Sequence, residues 1–138
     1  MTTDTSGTAA DQAAVVQAPM RIIAAWEAND ATAFGAACTE DATMILPGDV
    51  CLRGRDEIRE YMAGEYAGKL KGTRVTGTPL SLRFPVPGTA IMVTEGGVLL
   101  PGETEVSAPQ AIRATWVLAK DGDDWLITAY HNSPLHVG

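Results

Sequence analysis

Residues 109–133 read PQAIRATWVLAKDGDDWLITAYHNS, and this stretch decides the fold class. In its first half the even-numbered residues from Ile112 to Leu118 are all apolar, whereas the odd-numbered ones include Arg113 and Thr115. Alternation with a period of two predicts a strand whose even-numbered side chains face the core. The turn sequence DGDD follows, and a second apolar run comes directly after it. The stretch therefore predicts two strands of an antiparallel sheet with one buried face.

The rest of the chain predicts helices first and further strands afterwards. From about Ala10 to Asn29 apolar residues recur at spacings of three and four, which predicts an amphipathic helix. Pro19 lies inside this pattern and predicts a kink or a break into two helices. Asp30 is a candidate N-cap for a short second helix, and a third helix is predicted to start after Gly54. Helices followed by long strands indicate an α+β fold with the helices on one side of the sheet.

Length and composition indicate one globular domain. The chain has 138 residues, of which 46% are hydrophobic and 20% charged, and this balance is ordinary for a folded domain. We predict a disordered tail over residues 1–9 and a single domain over residues 10–138. The net charge of -7 argues against nucleic acid and anionic membranes as partners, because both repel an acidic protein.

Targeting signals and metal motifs are not recognisable in the sequence. The chain lacks an apolar run of membrane-spanning length, and its N-terminus does not resemble a secretory signal, so a cytoplasmic location is expected. Cys38 and Cys51 are too few for a disulfide scaffold and fit no zinc spacing, so we expect free buried thiols and no metal site. The sequence leaves their redox state open.

The second face of the predicted sheet is mixed in character. It carries Arg113, Thr115, Thr128 and Tyr130 if alternation is strict. A face of this kind is suited to a homodimer interface, which is a common way to cover the second side of an antiparallel sheet. Glu95 is predicted to form a cross-strand ion pair with Arg113 on the neighbouring strand.

The last strand ends in polar residues where a cavity is expected to open. Strict alternation puts His131 on the inward face with Trp125 and Ile127, whereas Tyr130 and Asn132 point to the other face unless a β-bulge turns them. His131 is therefore a candidate general acid or base. The alternative is a histidine whose ring nitrogens bond backbone groups at a strand end.

Several short motifs in this order resemble the SgcJ/EcaC family of small NTF2-like, or SnoaL-like, proteins over about residues 10 to 135. They are Trp26 at a helix end, NDATAF at 29–34, EDA at 40–42, PG at 47–48, GRDEI at 54–58 and WLITAYHNS at 125–133. The resemblance implies a cone-shaped half-barrel in which three N-terminal helices pack on a curved antiparallel sheet. It also implies a homodimer with a cavity at the wide end of the cone.

The resemblance implies candidate site residues as well. Asp41 is a candidate proton-transfer carboxylate, because related isomerases and cyclases hold an acid near the cavity; the alternative is a turn or cap acid. Hydrophobic ligands are typically held by large apolar walls with a few polar anchors. The candidate ligand-binding residues are Trp26, Tyr61, Tyr66, Trp116 and Asn132. Trp26 and Trp116 have the alternative role of filling the core.

Two functions are compatible with the sequence. Members of the family that this sequence resembles belong to enediyne antibiotic biosynthesis. The resemblance therefore implies, as the first hypothesis, a protein that binds a polyene or polyketide intermediate, with cofactor-independent isomerisation, cyclisation or dehydration as a reaction it could catalyse. The second is a non-catalytic module that protects such an intermediate or docks on a polyketide synthase. The oxidoreductase label attached to the family has no support here, because the sequence lacks a dinucleotide fingerprint and a redox cysteine pair.

Overall fold

The computed structural model describes residues 8–136 and, in addition, the strand pairing of residues 2–3. In this part of the chain the α-helices are α1 (Ala9–Glu27), α2 (Ala31–Ala36) and α3 (Arg55–Ala67). The Asp30 side chain caps α2 by accepting a hydrogen bond from the backbone N–H of Ala33 at 3.0 Å, which confirms the predicted N-cap.

Helix α1 runs without interruption through Pro19, so the predicted break into two helices is wrong. An internal proline costs about 3 kcal/mol, because it removes one backbone hydrogen bond and crowds the preceding turn. Here Pro19 lies on the buried face of α1 beside Val15 and Ala18. The burial of this apolar face offsets the local cost, since most helical stability in proteins comes from tertiary packing.

The strands follow the order predicted from the alternating runs. They are β1 (Thr2–Thr3), β2 (Cys38–Leu46), β3 (Val50–Arg53), β4 (Arg74–Val86), β5 (Thr89–Leu99), β6 (Ala111–Asp121) and β7 (Asp124–Pro134). A short 3-10 helix, Ala108–Gln110, leads into β6. The predicted tail over residues 1–9 lies mostly outside the described residues, although residues 2–3 form β1 and Ala9 begins α1.

The strands form one sheet in the order β1-β4-β5-β6-β7-β2-β3. Pairing is antiparallel except that β1 lies parallel to β4 and β2 lies parallel to β7. The α+β class is confirmed: the helices pack on the inner face of a curved, mainly antiparallel sheet. The parallel β2–β7 pair brings the first hairpin, β2–β3, beside the C-terminal strand.

The core lies between the helices and the inner face of the sheet. Its fully buried large side chains include Val15 from α1 and Ile58 and Met62 from α3, and these face Met92 and Leu118 of the central strands. The even-numbered residues Ala114, Trp116 and Leu118 are buried as the alternation in β6 predicts. No helix in the described residues is long and apolar enough to cross a membrane.

Candidate ligand-binding site

A cavity of about 360 Å³ lies between the helices and the inner face of the sheet. Most of its wall is carbon, contributed by α1, α3 and five strands; examples are Ile22, Trp26, Met44, Val98 and Ile112. This volume lies within the range of pockets that hold small organic ligands. The cavity is therefore the candidate binding site.

The polar part of the wall contains hydroxyl, amide and amine groups. They belong to Tyr61, Lys69, Thr76, Thr94, Gln110, Tyr130 and Asn132. Among the described residues that line the cavity, none is Asp, Glu or His. The wall thus offers hydrogen-bond donors and acceptors but no carboxylate or imidazole to take up a proton at neutral pH.

A β-bulge at Thr128 decides which side chains of β7 reach the cavity. Leu118 pairs with Ile127, but the preceding residue on β6, Val117, pairs with Ala129. Thr128 is the extra residue between them, and its hydroxyl lies 3.3 Å from that of a threonine on β2, where the β2–β7 register also shifts. One inserted residue exchanges the two faces of a strand beyond it.

The bulge reverses the orientations predicted for the end of β7. Tyr130 and Asn132 line the cavity, whereas His131 is exposed on the outer face beside Arg113 and Thr115. The prediction that His131 faces inward is therefore wrong. Tyr130 and Asn132 face inward because of a β-bulge, which is the exception that the sequence left open. His131 pairs with Thr115 across the sheet and lies on the opposite side of the sheet from the cavity.

Tyr130 and Asn132 form a polar pair in the otherwise apolar wall. Asn132 Nδ2 donates a hydrogen bond to the Tyr130 hydroxyl at 2.9 Å, and the Tyr130 ring packs edge-on against Trp116 with 4.7 Å between ring centroids. Burial raises the pKa of the Tyr130 hydroxyl, and the bond from Asn132 offsets only part of this. Tyr130 therefore keeps its proton at neutral pH.

Thr94 and Trp116 form a second polar contact in the wall. Trp116 Nε1 donates to Thr94 Oγ1 at 2.9 Å, and both residues are buried. A buried indole N–H needs an acceptor, and Thr94 Oγ1 provides it. The bond therefore helps to fix the orientation of the ring. Trp116 is thereby fixed as part of the cavity wall.

Tyr61 and Lys69 lie at a more exposed part of the wall. Lys69 Nζ is 3.5 Å from the carboxylate of Glu65, and the Lys69 side chain is 72% exposed. Burial, followed by the nearby Glu65 carboxylate, raises the pKa of the Tyr61 hydroxyl. This hydroxyl is consequently a hydrogen-bond donor rather than a base at neutral pH.

Two glycines of β5 in the cavity wall lie close to neighbouring backbone. A Cβ at Gly96 would lie 1.9 Å from the carbonyl oxygen of Thr76, and one at Gly97 would lie 2.1 Å from the carbonyl oxygen of Gln110. Sequence reasoning missed this part of the site. The signal was the Gly-Gly pair inside an otherwise apolar strand, which is typical of a close backbone approach.

Four of the five predicted ligand-binding residues are brought together at the cavity: Trp26, Tyr61, Trp116 and Asn132. Tyr66 is not among the lining residues, because it is buried in the core with its ring 5.6 Å from that of Trp26 in an edge-on contact. Trp26 serves both wall and core, since its Nε1 also donates to Thr73 Oγ1 at 2.8 Å.

The remaining candidate groups lie elsewhere. Asp41 is exposed on β2 and accepts a hydrogen bond from Thr39 Oγ1 at 3.0 Å, so it is not part of the cavity wall. Cys38 is a buried free thiol as predicted, but Cys51 is exposed, because it faces away from the core on β3, whereas the next residue, Leu52, is buried. In the described part of the chain, no cluster of three or more His, Cys, Asp or Glu residues is arranged to hold a metal ion.

The outer face carries the predicted ion pair. Glu95 is directly opposite Arg113 in the β5–β6 register, and Arg113 Nε donates to Glu95 Oε1 at 3.0 Å. The side chains of β5 and β6 on the same face include half-buried Ile91, Val93 and Val117.

Comparison with known proteins gives a family match and several fold matches. Residues 15–136 match the family model described as the SnoaL-like domain. A protein of unknown function with a cystatin-like fold from Nostoc punctiforme is 30% identical, with a TM-score of 0.87 over 95% of this chain and 81% of that one. An NTF2-like protein of unknown function from Shewanella oneidensis is 19% identical, with a TM-score of 0.73 over 88% of this chain and 98% of that one.

One curated relative matches in part. A 3-phosphoshikimate 1-carboxyvinyltransferase from Rhodospirillum rubrum is 40% identical in an alignment 94 residues long that covers 58% of this chain. The matched segment spans 21% of that protein, about a fifth of its length. The match therefore concerns a small part of the larger enzyme.

Proposed function

Because the chain belongs to the SnoaL-like domain family, we propose that it binds a hydrophobic small molecule in the cavity between its helices and its sheet. One observation carries the proposal: a cavity of about 360 Å³ whose wall is mainly aliphatic and aromatic, with the Tyr130–Asn132 pair as a polar anchor. Apolar walls with a few placed polar groups are typical of sites for small organic molecules.

The ligand class we propose is a polyene or polyketide intermediate of antibiotic biosynthesis. Two features support it: the sequence resemblance to the SgcJ/EcaC family, whose members are associated with enediyne polyketides, and the aromatic rings of Trp26, Tyr61 and Trp116 along the cavity. Flat conjugated chains pack well against such rings. Membership of that narrower family is part of the same proposal.

A binding and protecting role fits the wall better than proton-transfer catalysis. General acid–base catalysis needs a group that can accept a proton near neutral pH within reach of the ligand. His131 and Asp41 lie outside the wall, and the pKa of each wall tyrosine, Tyr61 and Tyr130, is raised by burial. We therefore propose a module that holds an intermediate and shields it from water, not an isomerase or cyclase.

A fluorescent polyene tests this function. The methyl ether of parinaryl alcohol, a neutral conjugated tetraene, is expected to gain fluorescence on titration with the protein, saturating at one molecule per chain. The polyene recovered afterwards is expected to have an unchanged absorption spectrum and chromatographic retention. A lack of saturable binding would refute the proposed function, and a chemically altered polyene would show catalysis instead.

The outer face of the sheet is our proposed homodimer surface. Half-buried Ile91, Val93 and Val117 lie on the same face of the sheet as the Glu95–Arg113 pair, so two copies related by a two-fold axis would bury these apolar side chains against each other. Sedimentation velocity of the full chain is expected to show a dimer. A monomer at all concentrations tested would refute this interface.

A further inference from the structure

We propose that the polar end of the ligand is a neutral hydroxyl group, alcoholic or enolic, bound between Tyr130 and Asn132. The inference rests on the proposed ligand-binding function and adds the chemistry of the group that the cavity selects. It follows from the hydrogen bonds that these two side chains make and from those that they leave unmade.

The Tyr130–Asn132 pair has one donor and one acceptor to spare. The Tyr130 oxygen already accepts from Asn132 Nδ2 at 2.9 Å, so the hydroxyl hydrogen of Tyr130 is available to donate elsewhere. Asn132 Oδ1 is buried and has no hydrogen-bond partner among the described residues. Buried amide oxygens are normally paired, so this oxygen marks a place for a donor.

A hydroxyl group matches this arrangement because it accepts one hydrogen bond and donates another. It would accept from Tyr130 and donate to Asn132 Oδ1. An ether, ester or ketone oxygen only accepts, so it would leave Asn132 Oδ1 unpaired. A carboxylate also only accepts hydrogen bonds, so its oxygens would be repelled by Asn132 Oδ1.

Two other polar groups of the wall, Trp116 Nε1 and the Lys69 ammonium, already have partners within the protein. Trp116 Nε1 is used by Thr94 Oγ1, and the Lys69 ammonium is paired with Glu65 at the exposed part of the wall. The raised pKa of Tyr130 keeps its hydroxyl protonated and able to donate. The surroundings of the pair therefore favour a neutral group over a charged one.

The test compares parinaryl alcohol with its methyl ether, which differ only in the hydroxyl hydrogen and one methyl group. The wild-type chain is expected to bind the alcohol roughly tenfold more tightly, the equivalent of one hydrogen bond. In Asn132→Leu this preference is expected to fall to about threefold or less, while affinity for the ether stays within about threefold. His131→Gln, a change of the adjacent residue on the outer face, is the matched control and should keep the tenfold preference.

The outcomes separate the inference from the function on which it rests. Equal binding of the two probes by the wild-type chain overturns the hydroxyl assignment but leaves the proposed function intact, because the cavity still binds a polyene. A tenfold preference that survives in folded Asn132→Leu, checked by circular dichroism, overturns the role of Asn132. If that variant does not fold, the wild-type comparison decides alone. Binding of neither probe refutes the proposed function, and the inference falls with it.

Discussion

Replacing Gly77 by leucine, whose side chain would fill part of the cavity, is expected to remove most of the ligand affinity without unfolding the protein. Gly77 lies in the cavity wall on β4, and a Cβ built on it would touch only Thr94, at 3.9 Å. This is ordinary van der Waals distance, so a longer side chain can enter the cavity without moving the backbone. The next wall glycine along the sheet, Gly96, has no such room.

Leucine at position 77 adds four carbon atoms to the wall. At about 30 Å³ for each heavy atom, the share of a water molecule in the liquid, they occupy about 120 Å³ of the roughly 360 Å³ cavity. By the same measure a ligand displaced by that much loses the burial of about four methylene groups. At about 0.8 kcal/mol for each group the loss is about 3.2 kcal/mol, or roughly 200-fold in Kd.

The assay is the fluorescence titration with the parinaryl methyl ether, performed on Gly77→Leu and on Thr78→Leu. Thr78 is the neighbouring residue, exposed and opposite Glu95 on the outer face, so its substitution adds a similar apolar side chain outside the cavity. The control is expected to bind within about twofold of wild type, and urea titration should show that both variants are folded. Wild-type affinity in folded Gly77→Leu would refute the assignment of the cavity as the binding site.

Two further predictions concern stability and thiol chemistry. Thr94→Val leaves Trp116 Nε1 without its acceptor and should lower the free energy of unfolding, measured by urea titration, by about 1–3 kcal/mol. The control Thr115→Val, on the exposed face, should change it by less than about 0.5 kcal/mol. Equal effects of the two substitutions would contradict the role of the buried bond. Burial raises the pKa of the Cys38 thiol from 9.0 to about 11. As the pH rises, the thiol therefore ionises in the unfolded chain before it ionises in the folded one. The folded state keeps the full stability below pH 9.0 and loses this contribution as the pH rises towards about 11. A thiol reagent at pH 8 should therefore modify only Cys51 in the native protein and both cysteines in denaturant; two fast-reacting native thiols would contradict the burial of Cys38.

Much of the architecture was predictable because local patterns and tertiary packing agree. The period-two alternation of β6 matches its buried residues, and the Asp30 cap and the Glu95–Arg113 pair depend on spacings visible in the sequence. The uninterrupted α1 was not predictable, because the burial that supports Pro19 comes from distant residues. The same is true of the parallel β2–β7 pair, which joins segments about 85 residues apart in the chain.

The residues of the cavity wall were predicted in part. Trp26 and Trp116, for which ligand binding and core packing were both expected possibilities, line the cavity as the helical and strand periods of their segments allow. Ligand binding by them stays a prediction. Lys69 and Gly77 were missed, since an exposed lysine and a strand glycine have no periodic pattern that marks a cavity. Tyr66 was assigned to the wall, but it packs behind Trp26 in the core.

The amino-acid sequence by itself determined the α+β class, the order of helices and strands, and the inward face of β6, because each depends on the spacing of apolar residues within one segment. Only the tertiary structure decided which side chains near the end of β7 face the cavity. The Thr128 bulge adds one residue between two paired strands, and a pattern of period two reverses its faces at such a point. That single insertion turns His131 outward and brings Tyr130 and Asn132 into the cavity wall.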